Sequence, residues 1–153
     1  MNRLLAIIAI VIPLVLTQTP VRQCSNGADL PASVDINGCI FSPCSIQNGA
    51  PIRAVAVGII SPIDTERLEA YITVRLAGLQ IPFPMPDDLK DACSSGVSSG
   101  TCPITAGQSF DYTLNHAGQA LGLSGITVQV EVGLRADDGT VVACLEFDAK
   151  IVA

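Results

Sequence analysis

Along most of the chain, apolar and polar side chains alternate one by one. Over 68–76, Leu68, Ala70, Ile72, Val74 and Leu76 share one side, and Glu69, Tyr71, Thr73 and Arg75 share the other. Over 126–134, Ile126, Val128, Val130, Val132 and Leu134 alternate with Thr127, Gln129, Glu131 and Gly133. Over 141–152, Ala143, Leu145, Phe147, Ala149 and Ile151 alternate with Cys144, Glu146, Asp148 and Lys150. Successive side chains of a strand point to opposite faces, so a period of two predicts strands with one buried face. Weaker versions of the pattern lie at 33–37 (Val34, Ile36), 52–60 (Val55, Val57, Ile59), 79–83 (Leu79, Ile81, Phe83) and 108–114 (Phe110, Tyr112, Leu114). Asp137-Asp138-Gly139 predicts the hairpin turn between the last two long strands. A short helical turn over 87–92, capped by Asp87-Asp88, is the only helix expected. Two long loops remain, 84–102 and 115–125. Several short strands, each with one apolar and one polar face, predict an all-β antiparallel sandwich.

The N-terminus breaks the pattern. Residues 1–17 carry Arg3, then the apolar run Leu4 to Leu16 interrupted by Pro13, then Thr17. A basic start followed by a run too short to span a bilayer is the plan of a secretory signal peptide, with the cut expected near 17–20. Residues 18–153 then form one domain, which at this size buries about two-thirds of its unfolded surface. That is enough for a core without oligomerisation, so a secreted, extracellular monomer is expected. The composition agrees with a folded chain: 49% of residues are apolar and 14% are charged. The net charge of -6 argues against nucleic acid, whose phosphates need clustered Lys and Arg.

Secretion places the six cysteines in an oxidising compartment, where they pair. Six cysteines allow about 15 pairings. Cys39 with Cys44 and Cys93 with Cys102 are close enough to close local loops, which leaves Cys24 with Cys144. Zinc is disfavoured, because no C-x₂-C knuckle is present and the chain has one histidine.

Little in the sequence supports an enzyme. Gly96-Val97-Ser98-Ser99-Gly100 fits G-x-S-x-G, but a nucleophile elbow needs a buried strand before the serine and a helix after it. Here the motif falls in a Ser/Gly-rich loop. His116 is the only histidine and is expected to be a solvated loop residue. The paired acids Asp87-Asp88 and Asp137-Asp138 read as solvated charges. No phosphate-binding or dinucleotide glycine pattern occurs, and no cofactor or metal is expected.

Several short motifs, in order, carry a resemblance. They are Cys24; Cys39-Ile-Phe-Ser-Pro-Cys44 followed by Asn48-Gly49; Gly78-Leu-Gln-Ile-Pro82-Phe83-Pro84; Cys93; Cys102-Pro103-Ile104; Gly107-x-x-Phe110-x-Tyr112; and Asp137-Asp138-Gly139 before Cys144. With this spacing the mature chain resembles the ML, or lipid-recognition, family, which includes the Niemann–Pick type C2 proteins and the group 2 mite allergens. The resemblance implies an immunoglobulin-like sandwich of two antiparallel sheets and the same three cysteine pairs. It also implies a sterol, fatty acid or other apolar lipid held between the sheets, with no reaction catalysed. Phe83 matches the Phe of the Pro-Phe-Pro motif that lines the family's sterol pocket, and Leu121 and Leu123 fall in the loop that supplies further pocket residues.

The inward rows complete the expected lining: Val55, Val57, Ile72, Val74, Leu76, Phe110, Tyr112, Val128, Val130 and Phe147. Separation of the sheets at one edge would admit the lipid, and a transient membrane or receptor contact is compatible with that route. The alternative is an immunoglobulin-like secreted module that recognises protein and has a dry interior. The chain has no N-x-S/T sequon, so simple secretion is expected over glycan-directed delivery to lysosomes.

Overall fold

A computed structural model describes residues 17–153. The expected leader at 1–17 lies almost wholly outside the described residues. The strands, in chain order, are β1 (Arg22–Gln23), β2 (Ser33–Ile36), β3 (Cys44–Gln47), β4 (Ile52–Ile60), β5 (Leu68–Leu76), β6 (Leu79–Ile81), β7 (Val97–Ser98), β8 (Ser109–His116), β9 (Thr127–Ala136) and β10 (Val141–Val152). Two single-turn helices, α1 (Asp87–Lys90) and α2 (Ala92–Ser95), lie between β6 and β7.

The strands form two sheets. The larger has the order β1-β10-β9-β5-β6, with β3 also paired to β10; the smaller has the order β2-β4-β8-β7. All pairings are antiparallel except β3 with β10, where Cys44 opposes Ala149 and Gln47 opposes Val152. The architecture is therefore the immunoglobulin-like sandwich the sequence predicts. The three disulfides are Cys24–Cys144, Cys39–Cys44 and Cys93–Cys102.

The period-two pattern explains the long pairings. In the register of β5, β9 and β10, Val74 lies opposite Val130 and Val130 opposite Phe147, so three apolar rows turn to the same face. The other face of this sheet is polar yet partly closed. Glu131 is buried there, paired with Arg75 at 2.8 Å and accepting from the Tyr71 hydroxyl at 3.2 Å. Gln129 donates to Glu146 at 2.6 Å, and the Arg135 guanidinium lies 4.8 Å from the Tyr71 ring centre. Burial, followed by the Glu131 carboxylate, pushes the Tyr71 phenol up to about 12.

Two local expectations need correction. Asp87 and Asp88 do not cap the helical turn: Pro86 precedes α1 with no side-chain cap, and Asp91 caps α2 by accepting the Cys93 N–H at 3.1 Å. The frame of β4 is also shifted. Pairing with β8 slips between Ala56 and Ile59, at Gly58, whose φ is +69° and whose N–H donates to Asp111 Oδ1 at 2.9 Å. A bulge adds one residue and exchanges the faces beyond it. Ala54 and Ala56 therefore point inward before the bulge and Ile59 after it, whereas Val57 is 42% exposed.

The space between the sheets divides into two packed regions. One is built around Leu68, Ala70, Met85, Ile104, Phe110, Tyr112, Leu134 and Val142. The other is built around Val34, Ile36, Ile46, Val74, Phe83, Val128, Phe147, Ala149 and Ile151. The second is incompletely filled.

Candidate functional site: an apolar cavity between the sheets

The gap in the second region is a cavity of about 50 Å³ available to the centre of a water-sized sphere. On that measure a single water needs about 10–15 Å³, so the gap exceeds a one-water void. Its walls come from both sheets. Ile72, Val74, Val128, Val130, Val132, Phe147, Ala149 and Ile151 line one side; Ile36, Ile52, Ala54 and Leu114 line the other. Ala54 on β4 and Ala149 on β10 contribute small side chains to opposite walls, which leaves space between sheets about 10 Å apart. Ile72, Val130 and Val132 are only half-buried although they point inward, as expected of residues bordering a hollow. No Asp, Glu, Lys, Arg or His lines it among the described residues.

The exposed lining residues Gln47, Gly49 and Gln119 mark the mouth. Two segments shape it. After β3, the Asn48-Gly49 turn places the Asn48 side chain to accept the Leu121 N–H at 2.9 Å, which fixes Leu121 in the lining. After β8, Gly118 (φ +95°) passes so close to the carbonyls of Gly49 and Ala50 that a Cβ at this position would overlap them. Phe83, from the segment that follows β6, is buried and joins the lining.

His116 is not the solvated loop residue expected from the sequence. It ends β8 as the fourth member of the inward row Phe110, Tyr112, Leu114, His116 and is 3% exposed. Its ring packs on Phe83 with centroids 5.1 Å apart and planes tilted by 32°. Nδ1 accepts the Gly118 N–H at 2.9 Å, and Nε2 has no partner among the described residues. Burial pushes the imidazole below its usual value, opposed by the negative charge of Asp88.

Of the residues expected to line a pocket, Phe83, Leu121, Ile72, Val74, Val128, Val130 and Phe147 meet around this cavity. The others do not. Val55 and Val57 lie on the outer face of β4, for the reason given by the bulge. Phe110 and Tyr112 face inward but pack in the first region, where Tyr112 borders a smaller gap of about 30 Å³ with Ala56, Ile59 and Leu134. Leu76 is half-buried at the end of β5 against the second region, and Leu123 is half-buried in the 117–125 segment; neither borders the hollow. The residues overlooked include Ile46, on the short strand β3, together with Ala54 and Ile52 on β4. The signal for Ala54 was its pairing with Leu114, which only the shifted frame reveals.

The G-x-S-x-G segment forms no elbow. Ser98 is exposed on the two-residue strand β7 and lies opposite Asp111 on β8. His116 is five residues further along β8, about 17 Å away at strand rise. A cluster of three candidate metal ligands among the described residues, Cys24, Glu131 and Cys144, has both sulfurs committed to a disulfide.

A family profile described as the ML domain matches residues 18–151. The chain belongs to the ML-domain family. Among curated relatives of this ML domain is the NPC intracellular cholesterol transporter 2 of Danio rerio, 32% identical over 119 residues, covering 78% of this chain and 75% of that protein. The Canis lupus familiaris protein of the same name is 25% identical over 130 residues, covering 85% and 83%. Among solved structures, a Niemann–Pick type C2 protein from Japanese carpenter ant superposes with a TM-score of 0.71 at 19% identity, over 86% of this chain and 98% of that one. Chicken MD-1, solved in complex with lipid IVa, superposes with a TM-score of 0.55 at 14% identity, over 84% and 85%. These likenesses confirm the sandwich fold.

Proposed function

We propose that this ML domain is a secreted carrier of an apolar lipid, a sterol or an acyl chain, held between its two sheets. The cavity carries the reading: it lies between the sheets, is walled by aliphatic side chains and Phe83 and Phe147, and has no ionisable group in its lining among the described residues. Relatives named as cholesterol transporters, and a structural neighbour solved with lipid IVa, support it. Burial of apolar surface supplies about 25 cal/mol per Å², so a guest that covers these walls needs no charged partner. At about 50 Å³ the hollow does not hold a sterol as it stands, so loading requires the sheets to part at the mouth. Phe83 and the 117–121 segment are the parts that yield. Three disulfides fit passage through an oxidising compartment, in keeping with the leader expected at 1–17.

The rival protein-recognition module calls for an exposed apolar patch. The most exposed large apolar residues, Phe41 and Leu79, are instead separated: one precedes β3 and the other is on β6, at opposite edges of the larger sheet. Native mass spectrometry of the purified chain, with solvent extraction of the bound material, tests the carrier reading. A mass increment that extracts as lipid is expected. A ligand-free chain that also takes up neither a fluorescent sterol nor a fluorescent fatty acid would exclude it.

A further inference from the structure

We propose that His116 is the polar anchor of the cavity, donating its Nε2–H to an uncharged oxygen, a hydroxyl or a carbonyl, on an otherwise apolar ligand. The proposal rests on the cavity being a lipid site. It starts from the two ring nitrogens, which have different fates. Nδ1 accepts the Gly118 N–H, so its lone pair is in use and the neutral ring carries its proton on Nε2. That N–H is buried and unpartnered among the described residues. Buried donors are nearly always satisfied, and leaving one unmade is costly, so an unmade donor beside a hollow points to a partner that arrives with a guest.

The position of the ring fits this role. His116 lies opposite Ile52 in the β4–β8 ladder, two pairs beyond Ala54 and Leu114 and so on the same face, and Ile52, Ala54 and Leu114 all border the cavity. His116 therefore stands at the mouth end of the lining row. It does not itself border the hollow; Phe83 links the two, with its ring both against the imidazole and in the cavity wall. A guest that passes the rim and displaces Phe83 takes the place of that ring against the imidazole. The absence of cationic side chains from the lining disfavours a carboxylate head group, which would be desolvated without a counter-ion. The Gln47, Asn48 and Gln119 side chains belong to the outer rim; Asn48 is already committed to Leu121.

The test compares 1-hexadecanol with n-hexadecane, both delivered from cyclodextrin, as displacers of bound 1-aminoanthracene from the full chain. His116→Asn keeps an acceptor for the Gly118 N–H and removes the Nε2 donor; His116→Gln returns an N–H near the Nε2 position. Relative to the wild type, the alcohol should lose about tenfold against the alkane in His116→Asn and regain it in His116→Gln. The chain has one histidine, so ring ¹⁵N spectra report it alone. Hexadecanol should move the Nε2–H resonance downfield and hexadecane should not. An unchanged alcohol-to-alkane ratio in His116→Asn, or a stationary Nε2–H on saturation with hexadecanol, would overturn the anchor and leave the carrier reading standing. Failure of the wild type to bind the fluorophore or either chain would overturn both.

Discussion

The imidazole of His116 is held neutral by two effects that act in the same direction. Burial disfavours the cation, and a proton on Nδ1 would oppose the Gly118 N–H that points at it. The folded value therefore lies below the usual 6.5, while the unfolded ring titrates near it. Below about 6.5 the unfolded chain binds the extra proton and the fold does not. His116 thus favours the fold fully above that pH, and this contribution falls as pH drops towards the folded value. Urea unfolding at pH 7.5 and 5.5 should show a larger loss on acidification in the wild type than in His116→Asn. The neighbouring Gly118 is more demanding still. With φ at +95° and carbonyls crowding the place of a Cβ, Gly118→Ala should cost about 1–3 kcal/mol in the same assay. None of this was legible in Asn-His-Ala-Gly-Gln, whose polar, glycine-containing text reads as a loop. β8 carries its alternation two residues past the obvious row, and only the pairing of His116 with Ile52 makes the histidine an inward residue.

Among the elements, legibility followed the length of the alternating run. β5 and β10 match the expected ranges at both ends, and β9 differs by one residue at its start and two at its end, because nine or more residues of one period leave little choice of frame; β4 matches in range but not in frame. β3 escaped notice because Cys-Ser-Ile-Gln is too short to show a period, and its parallel partner lies about 100 residues away. The bulge in β4 escaped for a different reason. Ala54, Val55, Ala56 and Val57 are all apolar, so side-chain type does not choose a face, and size alone points to the outer row. The bulge sets a clear contrast. Ile59→Ala removes a buried side chain and should cost about 2–4 kcal/mol. Val57→Ala, on the outer face, should cost under about 0.5 kcal/mol, measured by chemical denaturation of both. Equal costs would place the frame elsewhere.

At the scale of the molecule, two disulfides of unequal span bear on the unfolded chain very differently. Cys24–Cys144 joins residues 120 apart, and Cys39–Cys44 joins residues 5 apart. On the loop-entropy estimate the first stabilises by about 5 kcal/mol and the second by about 2 kcal/mol. Replacing each pair by serine should reproduce that order in guanidinium unfolding. The hollow between the sheets has a volumetric consequence. Unfolding floods the hollow and shrinks the system, so pressure favours the open chain. A guest that fills the space removes that advantage, as does a larger wall residue such as Ala149→Leu. High-pressure fluorescence should therefore give the empty protein a larger volume decrease on unfolding than either the loaded protein or Ala149→Leu. The same squeeze offers a way to measure how much of the interior was waiting for its cargo.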